Sequence, residues 1–170
     1  MKKSLVLTGM MGVGKSSIGK AVAIKQNLNF IDIDQAIERE EKTSIKEIFE
    51  KKGEHYFREI EKKYCLNFIK KSDLVISLGG GAFIDNTIRE NVLKSCTSFW
   101  LDVNVNNLLV RLKGSKKRPL LNDINPKKKL IEIFEKRKSI YNLANYRIDC
   151  NNKDENLIVK NILKICLTLK

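Results

Sequence analysis

The segment from Gly9 to Ser16 constrains this chain more than any other feature. It reads G-M-M-G-V-G-K-S, matches the pattern G-x-x-x-x-G-K-[ST], and lies between an apolar run at 5–7 and an amphipathic helical pattern. Glycines in such a segment let the backbone approach a phosphate closely, so that successive N–H groups face it at the positive end of the following helix. The segment is therefore predicted to be a P-loop that binds the phosphates of ATP.

Individual residues of the predicted P-loop have distinct expected roles. Lys15 is expected to reach the β- and γ-phosphates, and the hydroxyl of Ser16 is placed to bind Mg²⁺, which bridges the same two phosphates. A glycine-rich turn that only begins a helix is the alternative, and the flanking strand and helix patterns disfavour it. The ATP-binding residues predicted in this segment are Gly12, Val13, Gly14, Lys15, Ser16 and Ser17.

Short β-branched or aliphatic runs alternate with helical patterns along the chain. The runs lie at 5–7, 30–33, 74–76, 99–101 and 146–148. This alternation predicts a five-stranded parallel sheet flanked by helices, a three-layer α/β domain. A chain of 170 residues, of which 42% are hydrophobic, suits one domain with its own core. We therefore expect a single domain over 1–170.

The amino-acid composition limits which cellular compartment and which classes of binding partner are expected. No apolar run approaches the roughly 20 residues that span a bilayer, so no membrane partner is expected. The four cysteines, Cys65, Cys96, Cys150 and Cys166, are widely spaced, which favours reduced thiols in the cytoplasm. A net charge of +13 favours anionic partners, but it does not choose among nucleotides, small phosphorylated or carboxylated metabolites and nucleic acids.

Two carboxylates close the second predicted strand. A P-loop protein usually takes a second magnesium contact from an acidic residue that ends a nearby strand, yet neither the third run nor the two residues after it, up to position 78, include one. Asp32 and Asp34 are the candidates, because period-two alternation sends both side chains to the same side near the strand end, where α/β sheets bind ligands. Helix capping is the alternative, since Asp34 directly precedes a helical pattern.

Three further features indicate a small anionic second substrate. The triglycine at 79–81 follows the third run and permits close approach of a ligand, although a flexible turn is an alternative. Arg58 precedes Glu61 by three residues, so the carboxylate can orient the guanidinium, or the two form an ordinary surface ion pair. Arg137 falls on the apolar stripe of its helix, which points it inward towards either a protein carboxylate or an anionic ligand.

Six motifs in register resemble the shikimate kinase family. They are the P-loop, D-x-D at Asp32 to Asp34, F-R-x-x-E at Phe57 to Glu61, S-x-G-G-G at Ser77 to Gly81, R-P-L-L at Arg118 to Leu121 and R-x-x-x-Y at Arg137 to Tyr141. The resemblance covers essentially the whole chain. It implies a P-loop kinase fold with an acceptor-binding segment at 33–61 and a lid at 112–124. It also implies transfer of the ATP γ-phosphate to the 3-hydroxyl of shikimate, giving 3-phosphoshikimate and ADP on the route to chorismate and the aromatic amino acids.

The resemblance implies roles for residues that would bind the acceptor. Asp34 would bind the shikimate hydroxyls and act as the base. Arg58 and Arg137 would hold the carboxylate of shikimate. Gly80, with Gly81 beside it, would contact the ring through the backbone.

The same resemblance implies roles around the nucleotide. Asp32 would help to hold Mg²⁺ through water, and Arg111 would stack on adenine. Arg118 would be a lid arginine that closes over the phosphates, so the predicted catalytic set is Lys15, Asp34 and Arg118. His55, the single histidine, is expected on an exposed helix end and takes no part.

Two rival functions share some of these features. A gluconate or nucleoside monophosphate kinase would carry a similar P-loop, but a nucleotide acceptor needs a base pocket in place of the D-x-D and paired arginines. A nucleic-acid-binding P-loop protein is suggested by the interval 112–138, which has ten Lys or Arg and three acidic residues. That interval holds a single aromatic residue, Phe134, and no nucleic-acid-binding motif, so we expect no nucleic-acid partner. We also expect a monomer.

Overall fold

A five-stranded parallel sheet forms the centre of the protein. The computed structural model describes residues 3–112 and 125–169, and its strands are β1 (Leu5–Thr8), β2 (Asn29–Asp32), β3 (Leu74–Ser77), β4 (Thr97–Asp102) and β5 (Tyr146–Asp149). The strand order is β2-β3-β1-β4-β5, and each neighbouring pair is parallel. All five predicted strands are confirmed. Because β1 and β3 are neighbours, the loops that follow them meet at one edge of the sheet.

Helices flank the sheet and complete the predicted three-layer arrangement. They are α1 (Lys15–Gln26), α2 (Ile33–Glu41), α3 (Ile45–Ile69), α4 (Asn86–Ser95), α5 (Val105–Leu112), α6 (Pro126–Tyr141) and α7 (Glu155–Thr168), with a 3₁₀ turn at Ala82–Ile84. Strands β1 and β3 are buried along their whole length, which explains why they read as continuous apolar runs rather than alternating ones. The largest fully buried side chains include Trp100, Tyr141, Phe83 and Phe99.

The second strand ends at Asp32, one residue before the end of the predicted run at 30–33. Strand β2 ends at Asp32, whose carboxylate accepts a hydrogen bond of 3.2 Å from the Gln35 N–H and so caps α2. Asp34 therefore lies in the first turn of a helix, and the expectation that it closes the strand is wrong. The alternative of helix capping holds for Asp32 rather than for Asp34, because the helix begins at the apolar Ile33, which continues the pattern of the strand.

Helix α3 is interrupted at Gly53. This residue has φ 80° and ψ 170°, a conformation that is not helical and that favours glycine. His55 follows the break and is exposed, as expected, although it lies inside the element rather than at its end. The break turns the first part of α3, which packs with α2, relative to the part that carries Arg58 and Glu61.

Some predictions concern residues outside the described ranges. Apart from Leu112, the predicted lid at 112–124 lies there, and so does Arg118. The single-domain assignment over 1–170 stays a prediction. The four cysteines are buried and unpaired, as reduced thiols would be. No described helix is both long enough and apolar enough to cross a membrane.

Candidate active site

The loop between β1 and α1 has the backbone shape of a phosphate cradle. Gly9 has φ 134°, and a Cβ there would lie 2.6 Å from the carbonyl oxygen of Leu101. Gly14 has φ 95° and stands directly before the first residue of α1. A residue with a side chain would be strained at both positions, so this loop shape depends on glycine. The loop N–H groups lie at the N-terminus of a 12-residue helix, where an anion is favoured.

Lys15 is held inside the P-loop. Its side chain is largely buried, with 9% exposed, and Nζ donates hydrogen bonds of 2.9 Å to the carbonyl oxygens of both Gly9 and Met10. These bonds fold the side chain back across the loop from the first turn of α1. A fixed ammonium group therefore lies where the sequence predicted the phosphates to bind.

Ser16 and Asp32 are brought together as predicted. The Ser16 hydroxyl donates a 2.5 Å hydrogen bond to Oδ2 of Asp32, which is 7% exposed at the end of β2. Among the described residues, no group of three or more His, Cys, Asp or Glu side chains forms a metal cage. A hydroxyl beside one carboxylate fits a hard cation that takes most of its ligands from phosphates and water, which is how Mg²⁺ is commonly bound.

Arg111 lies beside the P-loop at the end of α5. Its guanidinium donates to the carbonyl oxygens of Val13, at 3.2 Å, and Cys150, at 3.5 Å. This position links the P-loop to the segment after β5 and suits a residue at the nucleotide site. The hydroxyl of Ser17 donates to Glu155 at 2.5 Å, so its side chain joins α1 to α7.

The triglycine that follows β3 is packed against a carboxylate pair. A Cβ built on Gly79 would lie 2.5 Å from Oε1 of Glu61 and 2.7 Å from Oδ1 of Asp34. Both acids therefore face the same backbone position, and neither leaves room for a side chain there. The alternative of a flexible turn is not supported, because this segment has neighbours at contact distance.

The ion pair of Arg58 is partly buried. Its Nη1 donates to Oε2 of Glu61 at 2.7 Å and its Nη2 to Glu54 at 3.1 Å. The Arg58 side chain is 36% exposed, whereas that of Glu61 is 2% exposed. A Cβ on Gly81 would lie 2.7 Å from Nη1 of Arg58, so the guanidinium rests directly on the triglycine. The predicted orientation by Glu61 is thus present, and the pair is more than a surface contact.

The pKa of Glu61 is raised, and burial is the largest cause. The charges of Arg58 and Arg137 oppose this shift, whereas the nearby Asp34 adds to it. Burial lowers the pKa of Arg58, but the carboxylates of Glu61 and Glu54 outweigh this effect and raise it overall. Arg58 is therefore a permanent cation at the site. Oε1 of Glu61 is buried without a hydrogen-bond partner among the described residues, so this carboxylate is under-satisfied.

Arg137 points inward from α6, as its position on the apolar stripe predicted. Its Nη1 donates a 3.0 Å hydrogen bond to the carbonyl oxygen of Gly80. Within the described ranges Arg137 forms no ion pair with a carboxylate. Of the two partners predicted for it, a protein carboxylate or an anionic ligand, this favours the ligand. A Cβ on Gly80 would lie 3.3 Å from the N–H nitrogen of Met11, so this part of the triglycine touches the P-loop.

Sequence reasoning missed two contributors to this site. Tyr141 was predicted as the last residue of the R-x-x-x-Y motif, with no role of its own, yet its hydroxyl donates to the Gly80 carbonyl oxygen at 2.5 Å. Its spacing of four residues from Arg137 places both on one helix face and was the available signal. Gly79 was passed over in favour of its two neighbours, and its contact with both carboxylates depends on the fold.

Comparison with known families agrees with this geometry. A sequence model described as shikimate kinase matches residues 11–167. The chain belongs to the shikimate kinase family. It is therefore an enzyme, an ATP-dependent kinase that phosphorylates shikimate, and the resemblance found in the six motifs is confirmed. Membership decides against the other small-metabolite kinases considered above.

Individual relatives cover nearly the whole chain. A shikimate kinase from Sulfurihydrogenibium sp. (strain YO3AOP1) is 44% identical over 161 residues, which are 95% of this chain and 96% of the relative. One from Persephonella marina is 42% identical over 161 residues, with shares of 95% and 97%. The solved shikimate kinase from Acinetobacter baumannii in complex with shikimate is 32% identical, with a TM-score of 0.95 and coverage of 100% of this chain and 96% of that one.

Proposed function

We propose that this protein transfers the γ-phosphate of ATP to the 3-hydroxyl of shikimate, giving 3-phosphoshikimate and ADP, with the acceptor bound on the triglycine. The observation that carries the proposal is the position of that segment. Asp34, Arg58 and Arg137 surround it, and Gly80 adjoins the P-loop backbone on its other side. Donor and acceptor are thereby held side by side, which is the main requirement of phosphoryl transfer.

The two arginines hold the carboxylate of the acceptor. Arg58 is oriented by Glu61 and Glu54, and Arg137 approaches from α6. Each guanidinium has five N–H donors in a plane, and the protein engages only some of them among the described residues. Their remaining donors suit bidentate recognition of a carboxylate, with backbone contacts from Gly80 and Gly81 beside them.

Asp34 binds the hydroxyls of the acceptor and accepts the proton of the attacking one. It lies in the first turn of α2 and is in contact range of Gly79, within the acceptor site. The single histidine, His55, is exposed after the break in α3. A carboxylate base is consistent with a reaction in which positioning and charge stabilisation supply most of the rate.

The nucleotide is held by the P-loop, and Mg²⁺ is the metal we propose. The N–H groups of Gly12, Val13 and Gly14 contact phosphate oxygens and Lys15 neutralises the transferred group. Ser16 would bind the metal directly and Asp32 through water, and the bound metal would offset phosphate charge. Arg111 stacks on adenine. The lid role of Arg118 lies outside the described residues and remains part of the proposal.

We also propose a monomer located in the cytoplasm without a nucleic-acid partner. The scattered reduced cysteines support the compartment, and the presence of only one aromatic residue, Phe134, between 112 and 138 supports the partner assignment. A gel shift with RNA or DNA that persists at physiological ionic strength would contradict it.

A substitution at Arg137 tests the acceptor site. Replacing Arg137 with alanine is expected to raise the KM for shikimate by about 30-fold or more, since loss of a partly buried charged contact costs about 2 kcal/mol or more. Lys136→Ala removes an exposed positive charge from the adjacent position of α6 and serves as the control. Equal shikimate KM values in the two variants would contradict the assignment. Phosphorus NMR of the product tests the position of transfer, and a phosphate on any oxygen but the 3-oxygen would refute it.

A further inference from the structure

The carbonyl oxygen of Gly80 accepts two hydrogen bonds from one helix. Nη1 of Arg137 donates at 3.0 Å and the hydroxyl of Tyr141 donates at 2.5 Å. A carbonyl oxygen has two lone pairs, so both are used. The carbonyl of the peptide between Gly80 and Gly81 is therefore held from α6, whereas the carbonyl oxygens of Gly79 and Gly81 accept backbone hydrogen bonds from the turn that follows them.

The hydrogen bonds from α6 are important for the triglycine because three consecutive glycines have little conformational preference of their own. Glycine loses more conformational freedom on ordering than any other residue, so an unbraced triglycine would sample several peptide orientations. A rotated peptide at Gly80 would turn its carbonyl and the N–H of Gly81 away from their present directions. The backbone contacts proposed for the acceptor would then be lost in part of the population.

Tyr141 is itself held rigidly. Its side chain is fully buried, its ring stacks on Trp100 with centroids 6.1 Å apart, and its hydroxyl lies 3.9 Å from the sulfur of Met10 in the P-loop. Burial raises the pKa of the Tyr141 hydroxyl, so it stays protonated and able to donate. The ring has no room to swing the hydroxyl away from Gly80 without disturbing the core.

We propose that Tyr141 is a positioning residue for the acceptor, which fixes the Gly80 peptide and shares that carbonyl with Arg137. This rests on the proposed function of the triglycine in binding shikimate. Because Tyr141 also donates a hydrogen bond to this carbonyl, Arg137 is not the only side chain that holds the loop in place. The other N–H groups of Arg137 are available to bind the acceptor carboxylate. The alternative is that the Tyr141 hydroxyl bonds to Gly80 only because a buried hydroxyl needs a hydrogen-bond partner, with no effect on acceptor binding.

Replacing Tyr141 with phenylalanine separates the two accounts. The ring and its stacking on Trp100 are kept, and only the hydroxyl is lost. The shikimate KM is expected to rise about 3- to 10-fold, the effect of one hydrogen bond, while the KM for ATP stays within about 2-fold. Tyr146→Phe is the matched control, because Tyr146 stacks on Phe99 and its hydroxyl makes no hydrogen bond among the described residues.

The assay is steady-state ADP release with each substrate varied in turn, together with thermal melting of all three proteins to set a temperature at which each is folded. A selective rise of the shikimate KM in the Tyr141 variant, absent from the control, supports the proposal. Unchanged KM values with a lower melting temperature, or equal rises for both substrates, overturn it. A wild-type protein that fails to phosphorylate shikimate would instead refute the proposed function, so the two failures are distinguishable.

Discussion

The Gly79→Ala substitution should damage the acceptor site more than the fold. Gly79 does not have a positive φ, so alanine can adopt its backbone conformation without strain. The problem is the added methyl group, which would stand 2.5 Å from Oε1 of Glu61 and 2.7 Å from Oδ1 of Asp34. Ordinary contact distances are about 3.5–4.0 Å, so the Glu61 oxygen, the backbone or both must move by about 1 Å.

The neighbouring contacts make this movement costly for function. Oε2 of Glu61 is bonded to Arg58 at 2.7 Å, so rotating the Glu61 carboxylate also displaces the guanidinium. Displacing a reacting or binding group by about 1 Å commonly costs about 100-fold in rate. We therefore expect kcat/KM for shikimate to fall about 100-fold in Gly79→Ala, with the KM for ATP little changed.

Alanine substitutions at the two neighbouring glycines serve as comparisons for Gly79→Ala. At Gly81 the added methyl group would stand 2.7 Å from Arg58, so Gly81→Ala should act mainly on the shikimate KM. At Gly80 it would stand 3.3 Å from the Met11 nitrogen of the P-loop, so Gly80→Ala should be the one of the three that alters the KM for ATP. The assay is steady-state ADP release with circular dichroism as the check on folding. A folded Gly79→Ala protein with wild-type kcat/KM for shikimate would refute the reasoning.

Three further predictions follow from other parts of the molecule. Lys15→Ala should lower kcat by about 100-fold or more with an unchanged circular dichroism spectrum, whereas the exposed Lys25→Ala control should not; wild-type turnover would refute the role of Lys15. Burial raises the pKa of Cys96 to about 11 and that of Cys150 to about 12, so neither thiol should react with a disulfide reagent at about pH 8 until the protein is unfolded; fast labelling of the native protein would contradict this. The raised pKa of Glu61 means that the folded state binds more protons than the unfolded state above pH 4.5, so stability should fall as pH rises through the window above 4.5. Glu61→Gln should flatten that fall in urea denaturation, and parallel curves for the two proteins would contradict it.

The fold was predictable because each strand is a compact apolar run. Strands β1 and β3 are buried on both faces, so they stand out from the polar helices around them. The P-loop was predictable because its glycines and Lys15 are contiguous in the chain. The start of α2 was not, since Ile33 is apolar and continues the pattern of β2 until the capping bond of Asp32 to Gln35 is considered.

The acceptor site was predictable only through the register of its motifs. Arg58, the triglycine and Arg137 are far apart in sequence, and no local pattern shows that they meet. The double hydrogen bond to Gly80 could not be predicted, because it depends on how α6 packs against the loop after β3. The role of Tyr141 could not be predicted either. A buried tyrosine in an apolar stripe gives the same sequence pattern whether or not its hydroxyl makes a hydrogen bond to a functional loop.

We propose that the acceptor bound beside the P-loop is a carboxylated alcohol, shikimate. The most direct test is ADP release by the purified protein with ATP, Mg²⁺ and one acceptor at a time: shikimate, gluconate or a nucleoside monophosphate. We expect strong stimulation by shikimate, and ADP release at the acceptor-free background with each of the other acceptors. Release at background with shikimate, or equal stimulation by gluconate or a nucleoside monophosphate, would contradict it.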